Sequence, residues 1–193
     1  MTERDLLEQF VATFAKLDDL SSSRELDPFA WELRVDEPDE DGRIEWRPAK
    51  TTTDYELLDP LYAKLPARFP PLYEGLVLSY RWAQVYLPSF SLLANPPGPD
   101  LSFLLKEITR DKGLWESLAP SGYIQFGRGP DMDYDPVCFD IKSRTKRKDY
   151  RIVKIDHEEI LCNYRVKVVA ELAPSFEQLV RQTIESARTL PTK

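Results

Sequence analysis

Four short runs in the last third constrain this chain most. "GYIQFG" (122–127), "PVCFDI" (136–141), "YRIVKID" (150–156) and "YRVKVVAEL" (164–172) each carry apolar residues at alternate positions. A period of two sends successive side chains to opposite faces of an extended backbone. Short stretches of turn residues separate the first three runs, which favours antiparallel neighbours. Ser175 then stands where a helix cap is needed, with Gln178 three residues on. Phe176, Leu179, Val180, Ile184 and Ala187 follow at helical spacing and form one stripe that needs a sheet to cover it.

The first two thirds read mostly as helix. Thr2 and Asp5 are spaced as a capping box, and Leu6, Leu7, Phe10, Val11 and Phe14 make one apolar face. "FAWELRV" (29–35) alternates and predicts a strand, with "RIEWRPA" (43–49) returning after the acidic turn "DEPDEDG" (36–42). Residues 51–66 read as one or two short helices, because Pro60 cannot sit in a helix interior without breaking it. "FPPLYEGLVLSY" (69–80) predicts a helix, and "RWAQVYLPSFSLL" (81–93) a long or bent strand with Pro88 at an edge or bulge. Asp100 is placed to cap a helix bearing Leu101, Leu104, Leu105 and Ile108, and "GLWESLAPSG" (113–122) reads as a short helix. Helices before and after consecutive strands predict an α+β class with a mainly antiparallel sheet flanked by helices. No internal repeat is present.

Length and charge narrow the function classes. A chain of 193 residues with 42% apolar and 31% charged side chains suits a globular fold. No apolar run approaches the roughly 18 residues of a membrane span, and "MTERDLLEQF" lacks the apolar centre of a signal peptide. Cys138 and Cys162 need not be paired, which fits a reducing compartment. The expectation is a cytoplasmic protein. Net charge is -7, but residues 1–60 hold 17 acidic and 7 basic side chains, whereas residues 61–193 hold 16 and 19. An acidic first third opposes general binding to polyanions and suits a basic protein partner.

Several stretches invite a chemical reading. Asp131, Asp133 and Asp135 match the opening of a calcium loop, but Pro136 replaces its glycine and Lys142 its final glutamate. No metal is expected there. "GRGP" (127–130) lacks the lysine and the helix start of a phosphate loop, so its glycines point to a tight turn or a close backbone approach. "KSRTKRK" (142–148) reads as a charged strand connection, since no aromatics interleave for base stacking. His157, the one histidine, stands among Asp156, Glu158 and Glu159 with no nucleophile motif and no ligand spacing such as H-E-x-x-H. A general base remains open to it, while a polar strand end explains it more simply. The polar residues of the 121–161 stretch are accordingly expected at the surface.

Four segments carry a family resemblance: "KLPARFPPLYEGL" (64–76), "GYIQFGRGPDMDYDPVCFD" (122–140), "RIVKIDHEEI" (151–160) and "ELAPSFEQLVRQTI" (171–184). In order and spacing they resemble the SUKH superfamily, the Smi/Knr-like domains, from about Lys64 to Ile184. The resemblance implies a domain without catalysis or cofactor. Bacterial members of this kind are immunity proteins that bind and neutralise a toxin, and fungal members are regulatory scaffolds. It divides the chain into an acidic extension (1–50, helix plus hairpin) packed on a SUKH-like domain (51–193). The expected function is a non-enzymatic protein-binding module, most sharply an immunity protein facing a basic toxin domain. A Smi/Knr-type scaffold and an enzyme using His157 are the alternatives. Neither nucleic acid nor membrane is an expected partner. The contact residues proposed from charge are Asp36, Asp39, Glu40 and Asp41 on the first turn and Asp131, Asp133 and Asp135 on the second.

Overall fold

The computed structural model describes residues 2–23, 30–130, 133–145 and 148–189. Its helices are α1 (Glu3–Leu17), α2 (Ala30–Leu33), α3 (Leu58–Tyr62), α4 (Pro71–Ser79), α5 (Ser102–Ile108), α6 (Lys112–Leu118), α7 (His157–Asn163) and α8 (Phe176–Thr189). Its strands are β1 (Ser21–Ser23), β2 (Arg43–Glu45), β3 (Ala49–Lys50), β4 (Tyr80–Arg81), β5 (Val85–Leu87), β6 (Phe90–Leu92), β7 (Tyr123–Arg128), β8 (Pro136–Asp140), β9 (Arg151–Ile155) and β10 (Val168–Ala173). Six of them form one antiparallel sheet in the order β10-β9-β8-β7-β6-β5, and β1-β2 and β3-β4 are separate short pairs. The class is α+β, as the alternating runs predict.

Period-two alternation sorts the sheet residues onto two covered faces. Ile124, Val137, Phe139 and Ile152 join the large core with residues of α1, α4 and α8. Tyr123, Cys138, Val153 and Ile155 join a smaller core with Leu114 and Leu118 of α6 and Ile160 of α7. Strands β7 and β8 are therefore covered on both sides. That corrects the expectation of a surface hairpin: Gln125 and Asp140 are buried polar residues. Asp140 is held there by Arg151, whose guanidinium donates to Oδ2 at 2.7 Å.

The large core is built from rings. Phe126 and Phe139 stack at 4.2 Å, and Phe176 of α8 meets them edge-on at 5.6 and 5.7 Å. Tyr73 of α4 and Phe10 of α1 close on Phe176 at 5.3 and 6.4 Å. Edge-to-face pairs of this kind add to the area they bury. Leu6, Leu7, Phe10, Val11 and Phe14 of α1 lie in the same continuous core as the sheet. Both expected caps form: Thr2 Oγ1 accepts from Asp5 N–H at 3.1 Å while Asp5 returns the bond, and Ser175 Oγ accepts from Gln178 N–H at 3.1 Å.

Three local expectations are corrected. Residues 30–33, expected in a strand, form the single helical turn α2; the hairpin is reduced to a bridge of Arg34 with Trp46, flanked by bonds from Val35 N–H to Glu45 O at 2.9 Å and from Arg47 N–H to Leu33 O at 3.0 Å. Phe29 lies outside the described residues. Residues 81–93 are not one bent strand. Leu87 pairs with Phe90, so Pro88 and Ser89 are the two-residue turn of the β5–β6 hairpin. Asp100 does not cap α5 directly; its Oδ1 accepts from Ser102 N–H at 2.9 Å, and Leu101 holds the cap position. Gly127 shows the close approach expected of its segment. A Cβ there would stand 2.5 Å from the carbonyl oxygen of Ser91 on the neighbouring strand.

Candidate functional site

The acidic turn between Arg34 and Trp46 is a fixed structure. Asp39 N–H donates to Arg43 O and Gly42 N–H to Asp39 O, both at 2.9 Å. Asp39 Oδ1 accepts from the N–H groups of Asp41 (3.0 Å) and Arg43 (2.8 Å), so this carboxylate is spent on folding the loop. Asp36, Glu40 and Asp41 are exposed. Their carboxylates have no ion-pair partner among the described residues, whereas neighbouring Glu37 pairs with Arg34. The turn thus presents three carboxylates to solvent from a pinned backbone.

The second acidic group is organised differently. Asp131 lies outside the described residues. Asp133 and Asp135 precede β8, Lys154 faces them from β9, and His157 opens α7. The β8–β9 register places Lys154 opposite Val137. Lys154 Nζ lies 2.7 Å from Asp133 Oδ2 and 3.6 Å from Asp135 Oδ2. Asp135 Oδ1 accepts from the backbone N–H of His157 at 3.0 Å and lies 2.7 Å from its Nδ1. A carboxylate only accepts, so Nδ1 carries the proton in this contact. Gly129 makes room for the group: a Cβ there would lie 2.3 Å from the Asp133 carboxylate.

Burial opposes the charge on Asp133, but the bonds from Lys154 and from the Asp135 N–H outweigh it and hold the carboxyl below its usual range. The bond to Asp133 in turn raises the Lys154 ammonium. Lys154 stands within ion-pair distance of both carboxylates, and His157 bonds to Asp135. Asp133 and Asp135 are half-buried and paired, unlike the acids of the first turn.

Two chemical uses of this arrangement can be weighed. Asp133, Asp135 and His157 offer ligand atoms within 4.8 Å of one another. The Lys154 ammonium already occupies the gap between the carboxylates, so a metal ion would have to displace it. His157 is oriented by Asp135 as a general base would be. Among the described residues no serine, threonine or cysteine bonds to His157; its ring neighbour is Tyr134, edge-on at 6.2 Å. A groove of about 670 Å³ lies elsewhere, between Glu3, Arg4 and Glu8 of α1 and Lys50, Thr51 and Tyr80.

Lys154 is the residue that reading the sequence alone passes over. Its signal was an interruption: in "RIVKID" it shares a face with buried Ile152, and a lysine there needs an acid. The basic connection after β8 is exposed at Lys142, Arg144 and Lys148, and Lys146 and Arg147 lie outside the described residues. Among the described residues no helix is long and apolar enough to cross a membrane. No family model matches the chain, and no curated protein matches it.

Proposed function

We propose that this protein is a non-enzymatic protein-binding module whose working surface is the acidic turn at residues 36–41. One observation carries the reading: the carboxylates of Asp36, Glu40 and Asp41 are exposed and have no ion-pair partner among the described residues, on a backbone pinned by Asp39. A fixed array of unmatched charge loses little freedom on binding and steers an oppositely charged partner into place. The segment-by-segment resemblance to SUKH domains supports the same reading and sharpens it to an immunity protein. A nucleic-acid-cutting toxin must present a basic cleft, and an acidic turn is its electrostatic complement. Asp133 and Asp135, matched by Lys154 and His157, are assigned to holding β8, β9 and α7 together.

The test is capture from extracts of the source cells on immobilised protein, with identification by mass spectrometry. A basic protein is expected, and its retention falls as salt rises. Asp36→Asn, Glu40→Gln and Asp41→Asn together are expected to slow its association on the order of tenfold. Asp133→Asn is expected to leave that rate unchanged. Association insensitive to the triple substitution refutes the acidic surface. A turnover lost in His157→Ala with the fold preserved would replace this reading with an enzymatic one.

A further inference from the structure

The two faces of the six-stranded sheet are covered to different extents. On the side of α6 and α7, the smaller core draws its sheet residues from β7, β8 and β9. Tyr86 of β5 and Ser91 of β6 stand on that same side. Their strand neighbours Val85, Leu87, Phe90 and Leu92 all belong to the large core on the other side. The register sets Tyr86 opposite Ser91 and Ser91 opposite Arg128. Directly opposed residues share a face, with Cβ atoms about 4.5–5.5 Å apart. The irregularity in β7 lies between Gln125 and Gly127, ahead of Arg128, so it leaves this row intact.

The row carries groups that the fold does not use. Ser91 is 2% exposed, yet its hydroxyl has no hydrogen-bond partner among the described residues. The guanidinium of half-buried Arg128 has neither an ion pair nor a hydrogen bond among them. Buried polar groups ordinarily find partners, so two unused donors side by side call for an acceptor from outside. Tyr86 and Tyr134 flank them, 51% and 55% exposed. Burial pushes the Tyr86 phenol up, the charge of Asp18 adds to that, Arg128 opposes it and Tyr134 adds again, so these groups surround one spot. The acids around it are occupied. Asp18 accepts from the N–H groups of Tyr86 at 2.8 Å and Asp19 at 2.7 Å, and Asp133 and Asp135 face Lys154 and His157.

We propose that Tyr86, Ser91, Arg128 and Tyr134 form a second protein-binding surface, which takes one carboxylate side chain of a partner between Arg128 and Ser91 and packs the partner's adjoining apolar groups on the two tyrosine rings. The guanidinium fork matches a carboxylate with two parallel N–H bonds, and the hydroxyl supplies a third donor. One unmatched cation in a chain of net charge -7 suits a single carboxylate. A nucleic acid would need several cations. Tyrosine and arginine are also the residues that concentrate affinity at protein interfaces. The partner binds by side chains rather than by adding a strand, since Asp18 already occupies the Tyr86 N–H at this edge. The surface shares no residue with the acidic turn at 36–41, so either can fail without the other.

Nuclear magnetic resonance of the isotope-labelled full chain reads the site, with two end-blocked peptides as probes, Leu-Glu-Leu and Leu-Gln-Leu. The glutamate peptide is expected to shift the backbone signals of Tyr86, Ser91 and Arg128, with Kd in roughly the millimolar range. The glutamine peptide is expected to bind about tenfold more weakly. Arg128→Gln and Tyr86→Ala are each expected to weaken the glutamate peptide about tenfold while Tm stays unchanged. Ser91→Ala is expected to weaken it about threefold and to hold or raise Tm, because the hydroxyl it removes is buried without a partner. A fall in Tm for Ser91→Ala would return that hydroxyl to the fold and count against the site. No shift with the glutamate peptide, an equal response to both peptides, or binding untouched by Arg128→Gln overturns the proposal. An oligothymidylate that moves the same signals at lower concentration would overturn it in favour of nucleic acid.

Discussion

Asp149 holds the first turn of α8 from 27 positions upstream: its Oδ1 accepts from Phe176 N–H at 3.0 Å, and Oδ2 from Glu177 N–H at 3.2 Å. Oδ1 also accepts from Tyr150 N–H at 2.7 Å. Helix N–H groups lack partners within their own helix at the start. Here the connection between β8 and β9 supplies one, with a charge that suits the helix dipole. Removing the carboxylate in Asp149→Ala is expected to cost about 1–2 kcal/mol. A fall in Tm of about 2–8 °C follows for a chain of this size. Asp149→Asn keeps one acceptor and is expected to lose less. Equal melting curves for wild type and Asp149→Ala would remove the capping role.

Phe176 itself is fully buried against Phe10, Tyr73, Phe126 and Phe139. Truncating such a ring leaves a cavity among rigid neighbours and costs about 3–5 kcal/mol. Phe176→Ala is expected to lower Tm strongly, while Gln178→Ala, two residues on and exposed, is expected to change it little. Thermal denaturation followed by circular dichroism distinguishes the two.

Tyr73 offers the opposite prediction. Its ring is fully buried in the aromatic core and, among the described residues, its hydroxyl has no hydrogen-bond partner. Burial pushes its phenol well up from the ordinary value. A buried donor without a partner costs about 1–3 kcal/mol. Tyr73→Phe removes the hydroxyl and keeps the ring, so Tm is expected to rise by about 2–12 °C. A lower Tm would show that the hydroxyl is satisfied in solution.

The Asp133–Lys154 pair gives stability a defined pH window. The carboxyl of Asp133 sits below its ordinary 3.8, so the unfolded chain takes up that proton more readily than the folded one. Its contribution is complete above pH 3.8 and is lost as pH falls through the lower folded value. The ammonium of Lys154 sits above its ordinary 10.5, so its contribution is complete below that pH and is lost as pH rises through the higher folded value. Asp135 and His157 adjoin both groups. Asp133→Asn is expected to lower Tm by a few degrees between about pH 5 and pH 9, with the difference shrinking below about pH 4. A difference that persists unchanged in acid would remove the ion pair as its cause.

The elements read most directly from sequence were those whose signal is local. β7, β8 and β9 announced themselves by alternation, and α8 by Ser175 and a five-residue stripe. α2 failed because "FAWELRV" alternates by chance. Its alanine, glutamate and leucine are good helix formers, and one turn is too short for a helical period to show. In sequence Pro88 looks like an edge or bulge within one strand, whereas it starts the reversal between two. The acidic turn was visible in composition alone. The pairing of Lys154 with Asp133 spans 21 residues and depends on strand register, which no local pattern encodes.

The packing of α1 against α8 has a consequence for synthesis. Phe10 rests against Phe176, so α1 waits for α8, more than 150 residues on. At ribosomal speeds, on the order of 5–20 residues per second, that wait is roughly ten to thirty seconds. Throughout it the apolar stripe of Leu6, Leu7, Phe10, Val11 and Phe14 can meet α4 and β5 but lacks α8, so its cover is incomplete. The nascent chain therefore carries an incompletely covered amphipathic helix until Phe176 and its stripe have been made, a site where a holding chaperone finds its footing.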